Sequence, residues 1–451
     1  MWRASRILTA FTSAVLASTA LVVSASTAHA APELSAEKGQ SSQQPGGREV
    51  LPLASERCEP VHIVVTAGTG ESNPDDNPRQ IRGLGSGINF TQDLLDSFDG
   101  ISAWQTPYNA SAGILSSNGE SRAKHFLPYA ASKKQAATAI TEHLADQKAR
   151  CPGTSFILAG YSQSADAVGD VLADISAGKV TITPEDIAGA YLLGDPARSD
   201  LGATLTPTAK ATSSGSDGIV TTAGAVLIPL DQGLPRKTSH GLTGNRPDGA
   251  FANLPGKVRQ LCAKDDKACA VLPDEPSARI GAHASRPAAV HPDYYSAVSL
   301  KQMQANGSFA RAIGSHATAL MAAITFGDLV AVKKQFERAA RTPGLTKGER
   351  ATLRLTGVEL AELMGSARIK IPERHVTGVS DVDRVIDVLD SLADSDNGLG
   401  KLGEIRAFPE AHGAYTGNEG KAATIGGVRV DQWIAADMAA LATQHGARTA
   451  K

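Results

Sequence analysis

The chain has 451 residues, 42% of them hydrophobic and 20% charged, with 44 Lys and Arg against 46 Asp and Glu and a formal net charge of −2. That balance excludes a basic nucleic-acid-binding surface and a low-hydrophobicity disordered chain, and the length exceeds what one small domain needs. Beyond Val23 no apolar run is long enough to span a bilayer.

The N-terminus carries the first pattern. Trp2, Arg3 and Arg6 precede a small and apolar run from Ile7 to Val23, and Ala28-His29-Ala30 then offers small residues at the spacing of a cleavage site. Residues 1–30 read as a secretory signal peptide, since the run is too short and too broken by Ser and Thr for an anchor. The mature protein is expected to be soluble and secreted, free outside the cell or associated with its envelope. Residues 31–57, rich in Ser, Gln, Gly and Pro without periodicity, read as a disordered lead-in.

Export bears on the cysteines. All four, Cys58, Cys151, Cys262 and Cys269, lie in the mature part, where an oxidising compartment and an even count favour disulfides. Three pairings are open, and the nearness of Cys262 to Cys269 favours Cys262–Cys269 with Cys58–Cys151. No Cys-x-x-Cys pair is present, so no zinc site is expected.

From Cys58 strands alternate with helices. His62–Thr66 is a short β-branched run ending in the loop Ala67-Gly-Thr-Gly-Glu71; Arg79–Phe98 has helical spacing; Ile101–Trp104 is a second strand; Ala130–Ala149 is a helix. Phe156-Ile-Leu-Ala-Gly-Tyr-Ser-Gln-Ser164 then runs from strand through a sharp turn into an Ala-rich helix. Small residues flanking a serine at such a joint are what a nucleophile elbow requires, because strand and helix approach closely there and the hydroxyl is lifted clear of the sheet. Ser162 is the candidate nucleophile, although Ser164 stands where that motif has its last glycine. Ile187–Leu193 and Ala225–Ile228 are further strands, and Leu254–Leu261 is expected as a short helix. The alternation predicts an α/β fold with a parallel sheet between helices and a site at the carboxyl ends of its strands, which brings the Thr66–Glu71 loop beside Ser162.

Residues 58–270 resemble the cutinase family of secreted serine esterases, an α/β-hydrolase variant. The matching features are Cys58 before the first strand, Cys151-Pro152 before the elbow strand, Gly160-Tyr-Ser-Gln163, Leu193-Gly-Asp-Pro196, Gly244-Asn-Arg-Pro247 and Cys262-x-x-x-Asp266-x-x-Cys269. The resemblance implies Ser162 as nucleophile and Asp266 as the acid that orients a histidine, with Asp265 as its near alternative and Asp195 structural. Such a carboxylate fixes the imidazole tautomer and stabilises its protonated form. The oxyanion hole then takes the backbone N–H of Gln163 and, from the Gly-Thr-Gly loop, Thr69.

The base departs from the family pattern, which places a His-x-x-Tyr segment soon after the second disulfide and before a terminal helix. Two segments fit, His291-Pro-Asp-Tyr294 and His412-Gly-Ala-Tyr415. His412 is favoured because Gly-Val-x-Val-x-x-Trp433 and a closing amphipathic helix follow it, with His291 as the alternative; His125, His240 and His283 read as ordinary loop histidines. His412 as base makes residues 271–405 a helical insertion over the site, with helices expected at Phe309–Ile324, Leu329–Ala340, Lys347–Leu363 and Val382–Leu392 and turns at Pro343-Gly344, Gly365 and Pro372. Residues 406–451 would then complete the hydrolase core.

These features point to a serine esterase acting on acyl or lipid esters, of short to medium chain or from a cell envelope, with no metal or organic cofactor. Two other classes are compatible with the same residues: an acyltransferase using the same triad, and a non-catalytic envelope or interaction protein that keeps the fold.

Overall fold

The structure, a computed structural model, describes residues 58–112 except 86–87, then 127, 129–202, 209–210, 217–275, 300–367, 408–416 and 422–450, with 278, 298 and 382 singly. The expected signal peptide, the lead-in, His125, His283, His291, Pro372 and the helix expected at Val382–Leu392, save Val382, lie outside those residues.

The β-branched and aliphatic runs become a sheet of β1 (Val61–Thr66), β2 (Ile101–Gln105), β3 (Ser155–Tyr161), β4 (Ile187–Leu193), β5 (Ala209–Lys210), β6 (Asp217–Val220), β7 (Val226–Leu227) and β8 (Val258–Leu261), in the order β2-β1-β3-β4-β8-β7-β6-β5. Pairing is parallel from β2 to β7 and antiparallel at β7–β6 and β6–β5. Every residue of β1 and β4 is buried, as strands covered on both faces demand.

Side-chain alternation splits the core into two layers. On one face Ile63, Val65, Ile157, Ala159 and Leu193 pack with Phe90 and Leu94 of α1 (Phe90–Ser97) and with Trp433, Ile434, Met438 and Leu441 of the terminal helix (Val430–Gln444). On the other face Val64, Phe156, Leu158 and Leu192 meet Ile140 and Leu144 of α2 (Tyr129–Arg150) and Val168, Leu172 and Ile175 of α3 (Gln163–Ser176). The result is the expected α/β architecture. The last residues return to its edge, where Arg448–Thr449 pairs with Phe98–Asp99.

A further group of helices has a core of its own: α4 (Leu300–Ala305), α5 (Ser308–Ile313), α6 (Ala317–Phe326), α7 (Leu329–Ala339) and α8 (Lys347–Ala367). Met303, Phe309, Ile313, Leu320, Val332, Phe336, Leu353 and Leu360 bury one another there. This group touches the sheet domain where Ala351 and Leu355 of α8 pack on Leu127 and Ala131.

Three expectations change. The helix expected over Arg79–Phe98 is confined to Phe90–Ser97, because Gly83 and Gly85 adopt φ of +82° and +94°. The segment Leu254–Leu261 is no helix: it turns through Gly256 at φ +70° and enters the sheet as β8. Its apolar spacing of four and three residues imitates a helix face because Leu254, Val258 and Leu261 are all fully buried for other reasons. Gly365 lies inside α8 rather than in a turn, and a Cβ there would stand 2.8 Å from Leu329 Cδ1, so it lets α7 and α8 approach.

Both disulfides form, Cys58–Cys151 across 93 residues and Cys262–Cys269 across 7. On loop-closure entropy the longer one stabilises by about 4–5 kcal/mol and the shorter by about 2 kcal/mol.

A pair of histidines, His62 buried on β1 and His143 half-buried on α2, is pH-sensitive. His62 Nε2 lies 2.8 Å from His143 Nε2, His62 Nδ1 lies 2.7 Å from Ser102 Oγ, and the His143 ring stacks on Trp104 at 3.9 Å. Burial, and for His62 next the charge of His143, holds both rings down to about 3. Both are neutral when folded, whereas in the unfolded chain they take up protons below their ordinary 6.5. The unfolded state therefore binds more protons, and stability falls, as pH drops from 6.5 towards 3. The urea midpoint is expected to decline from about pH 7 to about pH 4, and the decline to be shallower in the double variant His62→Val/His143→Phe. An identical slope in that variant would remove the pair as its source.

Candidate active site

Ser162 sits between the last residue of β3 and the first of α3 with φ 57° and ψ −128°, the one positive-φ non-glycine residue among those described. A serine in that region is strained by roughly 1–3 kcal/mol, so its surroundings must hold it. They do: Ser162 N–H donates to Leu193 O at 2.9 Å, and Ser162 O accepts from the N–H groups of Ala165 and Asp166. Gly160 is needed because a Cβ there would lie 2.6 Å from Ser164 O. Ser164, the departure from the usual glycine, earns its position by donating from Oγ to Thr66 O at 2.6 Å and accepting from Tyr161 N–H at 2.9 Å. The hydroxyl ties the start of α3 to β1.

Asp266 and His412 meet across 146 residues of sequence, His412 Nδ1 lying 2.8 Å from Asp266 Oδ1, and both side chains are fully buried. Ala268 N–H also donates to Oδ1 at 2.9 Å, and the Tyr415 hydroxyl donates to Oδ2 at 2.8 Å. His412 lies in the last turn of the short helix α9 (Phe408–Gly413), and Tyr415 lies in the 3-10 turn after it. Above the imidazole, Tyr161 stacks at 4.8 Å between ring centres and donates its hydroxyl to His412 O at 2.7 Å. The residue preceding Ser162 is thus a platform for His412. Asp265, the neighbouring acid, is exposed.

Thr69 is held in a loop fastened on both sides: Gly68 N–H donates to Leu84 O at 3.0 Å and Gly70 N–H to Ala110 O at 2.8 Å. A Cβ on Gly68 would lie 3.6 Å from Ser162 Cβ, so this loop borders the serine. Thr69 Oγ1 donates to Gln163 Oε1 at 3.3 Å, and Gln163 Nε2 donates to Ser111 O at 2.8 Å. Gln163 begins α3, where a helix leaves its first N–H groups without intrahelical acceptors.

Charged side chains beneath this site fix the surrounding loops. Arg246 of the Gly-Asn-Arg-Pro stretch pairs with Asp166 and Asp195, each at 3.2 Å, and with Asp170. Burial pushes the Asp195 carboxyl up and Arg246 pulls it back, while Gln260 Nε2 donates to it at 2.8 Å. Asp195 is thereby engaged away from His412, in keeping with a structural part. Arg198, which the sequence reading passed over, is fully buried and donates to Cys269 O at 2.6 Å and Ser239 O at 2.7 Å, tying the Asp266 loop down; burial lowers it to about 10. The roles of Tyr161 and Tyr415 were also missed, although each adjoins a recognised motif. His240 forms an isolated backbone bridge with Val271.

A cutinase family model matches residues 57–285, half of the chain. The chain belongs to the cutinase family. It is a carboxylic ester hydrolase. Among curated proteins it is 26% identical over 232 residues to a carboxylesterase Culp6 homolog of Corynebacterium glutamicum, covering 50% of this chain and 71% of that one. It is 39% identical over 83 residues to a cutinase of Kineococcus radiotolerans, covering 16% of this chain and 28% of that one. Among solved structures, the catalytic core domain of acetyl xylan esterase from Trichoderma reesei aligns at 18% identity and a TM-score of 0.33, over 50% of this chain and 94% of that one.

Gly194 closes the turn after β4 at φ +57°, and a Cβ there would lie 2.9 Å from both Asp266 Oδ2 and His412 Cε1. In this cutinase-family enzyme Gly194→Ala is expected to displace the Asp–His pair and lower kcat on a p-nitrophenyl ester at least about tenfold. Parent-level turnover in the folded variant would show that the pair tolerates the added methyl.

Proposed function

We propose that the chain is a secreted serine esterase that cleaves acyl or lipid esters through an acyl-enzyme. Ser162 is the nucleophile, His412 the general base and acid, Asp266 the carboxylate that orients it, and Thr69 and Gln163 the oxyanion hole. The observation that carries this reading is the 2.8 Å contact between His412 and Asp266, residues 146 apart in sequence, beside a serine at positive φ. The Gly194 turn links the two features, since it borders the imidazole while Leu193 O accepts from Ser162 N–H.

With Nδ1–H donated to Asp266, the basic lone pair of His412 lies on Nε2, the nitrogen that takes the Ser162 proton as Oγ attacks the ester carbonyl. The negative charge moves to the carbonyl oxygen, where the N–H of Gln163 and the N–H or hydroxyl of Thr69 meet it. Collapse expels the alcohol, which receives its proton from the imidazolium and leaves Ser162 acylated. Water, deprotonated by His412, then attacks the acyl carbon; the carboxylic acid departs and the serine recovers its proton.

Residues 271–405 are read as an insertion between acid and base, and 406–451 as completing the core. Support comes from the burial of Trp433, Ile434 and Met438 in the sheet domain and from the seat of α8 on Leu127 and Ala131. Leu127 exchanges hydrogen bonds with Ser111, whose carbonyl holds Gln163, so the helical group rests against the side of the proposed oxyanion hole. Both disulfides favour an oxidising compartment, in keeping with export to the cell surface or beyond.

A fluorophosphonate probe is expected to label Ser162 in the folded protein. Ser162→Ala should abolish labelling and lower turnover on the order of 10⁶-fold with the melting temperature unchanged. No labelling of folded parent protein would remove Ser162 as the nucleophile.

A further inference from the structure

Tyr415 is fully enclosed at 1% exposure, and its hydroxyl makes two hydrogen bonds of opposite sense. It accepts from the backbone N–H of Ala263 at 2.8 Å and lies 2.8 Å from Asp266 Oδ2. An amide N–H can only donate, so the phenol oxygen is the acceptor on that side and its single proton is directed to the carboxylate. Asp266 then receives three N–H or O–H donors: Ala268 N–H and His412 Nδ1–H on Oδ1, and Tyr415 on Oδ2. The disulfide sulfur of Cys269, 3.4 Å from Oδ2, carries no proton to offer.

Resting on the triad reading above, we infer that Tyr415 is a positioning residue of the reaction, setting the basicity and orientation of Asp266 and through it those of His412. Its place in the chain suits the task. It stands three positions after His412, so one turn delivers both the imidazole to Oδ1 and the phenol to Oδ2, gripping the carboxylate from two sides. The bond accepted from Ala263 N–H joins the same turn to the residue after Cys262, at the mouth of the Cys262–Cys269 loop. Burial, and next the charge of Asp266, raises the phenol well above its ordinary range, which keeps the proton on oxygen and the hydroxyl a donor.

Removing the hydroxyl leaves Oδ2 without that proton and makes the carboxylate a stronger base. It then holds protonated His412 more tightly. The imidazole loses its proton at higher pH, and the imidazolium becomes a poorer acid towards the departing alcohol. Tyr415 is buried away from solvent, so substrate binding itself is untouched.

The test compares Tyr415→Phe with Tyr161→Phe, a substitution of the same size in the same cluster that removes the bond to the His412 carbonyl and leaves Asp266 alone. In Tyr415→Phe, kcat on a p-nitrophenyl ester is expected to fall about ten- to a hundredfold with KM within about twofold of the parent. The acid limb of kcat/KM should move up by about half a pH unit or more, and in Tyr161→Phe it should stay in place. The inference is overturned if Tyr415→Phe keeps kcat within about twofold and its acid limb coincides with the parent's. Should that variant fail to fold, uniform replacement of tyrosine by 3-fluorotyrosine, a stronger donor, should move the limb downward, and an unmoved limb overturns the inference. Fluorophosphonate labelling of Ser162 in the parent separates the two levels: a parent that does not label refutes the triad, whereas a parent that labels beside an unaffected Tyr415→Phe refutes only the role of Tyr415.

Discussion

The backbone of Ser162 at φ 57° is the constraint on which the site depends. An L-residue enters that conformation only when its neighbours over-determine it. Here the joint between β3 and α3 is held from three directions: by Leu193 O on the adjacent strand, by the start of the helix, and by Ser164 Oγ on Thr66 O of β1. Three adjacent parallel strands, β1, β3 and β4, therefore converge on one residue at their carboxyl ends. The strain is stored there because strands buried along all of β1 and β4 and all of β3 but Ser155 cannot shift to release it.

Asp266 and His412 are positioned by a different device, the first from the loop after β8 and the second from the short helix α9. Side chains tie both: Arg198 and the Cys262–Cys269 bridge for Asp266, and Tyr161 and Tyr415 for His412. Farther back, Arg246 gathers three carboxylates, one of them on the turn after β4 and two on α3. Removing that guanidinium would strand buried charge, which is the costly direction for an ion cluster. The network thus couples the helix behind Ser162 to the turn that borders His412.

Much of this was legible in the chain. Ile187–Leu193 and Phe156–Tyr161 announce themselves because a parallel strand buried on both faces is a continuous apolar run, and Gly160-Tyr-Ser162 because the elbow admits only small residues around the serine. Leu254–Leu261 misled for a related reason: burial on a sheet between β4 and β7 gave three apolar residues a helical spacing that only Gly256 contradicted. Tyr415 was visible beside His412 but not its partner, because the acceptor lies 149 residues away and no local period encodes it. Arg198 was silent for the same reason. A single buried arginine bonded to carbonyls has no sequence signature until the fold brings Cys269 and Ser239 to it.

The helical group shows how a long excursion of the chain can share a site without donating a reacting atom. Its main core is internal, and Ala351 and Leu355 rest on the stretch whose Ser111 and Tyr129 carbonyls hold the Gln163 amide. Gln163 in turn accepts from Thr69, which links the two proposed oxyanion donors through one side chain. A displacement of α8 would be felt first at Leu127 and the start of α2, and only through them at Gln163. Ser162, Asp266 and His412 are held by other elements and would keep their places. The Asp266–His412 pair and the Thr69–Gln163 link thus rest on different side chains, Arg198, Tyr161 and Tyr415 for the first and the carbonyls of Ser111 and Tyr129 for the second.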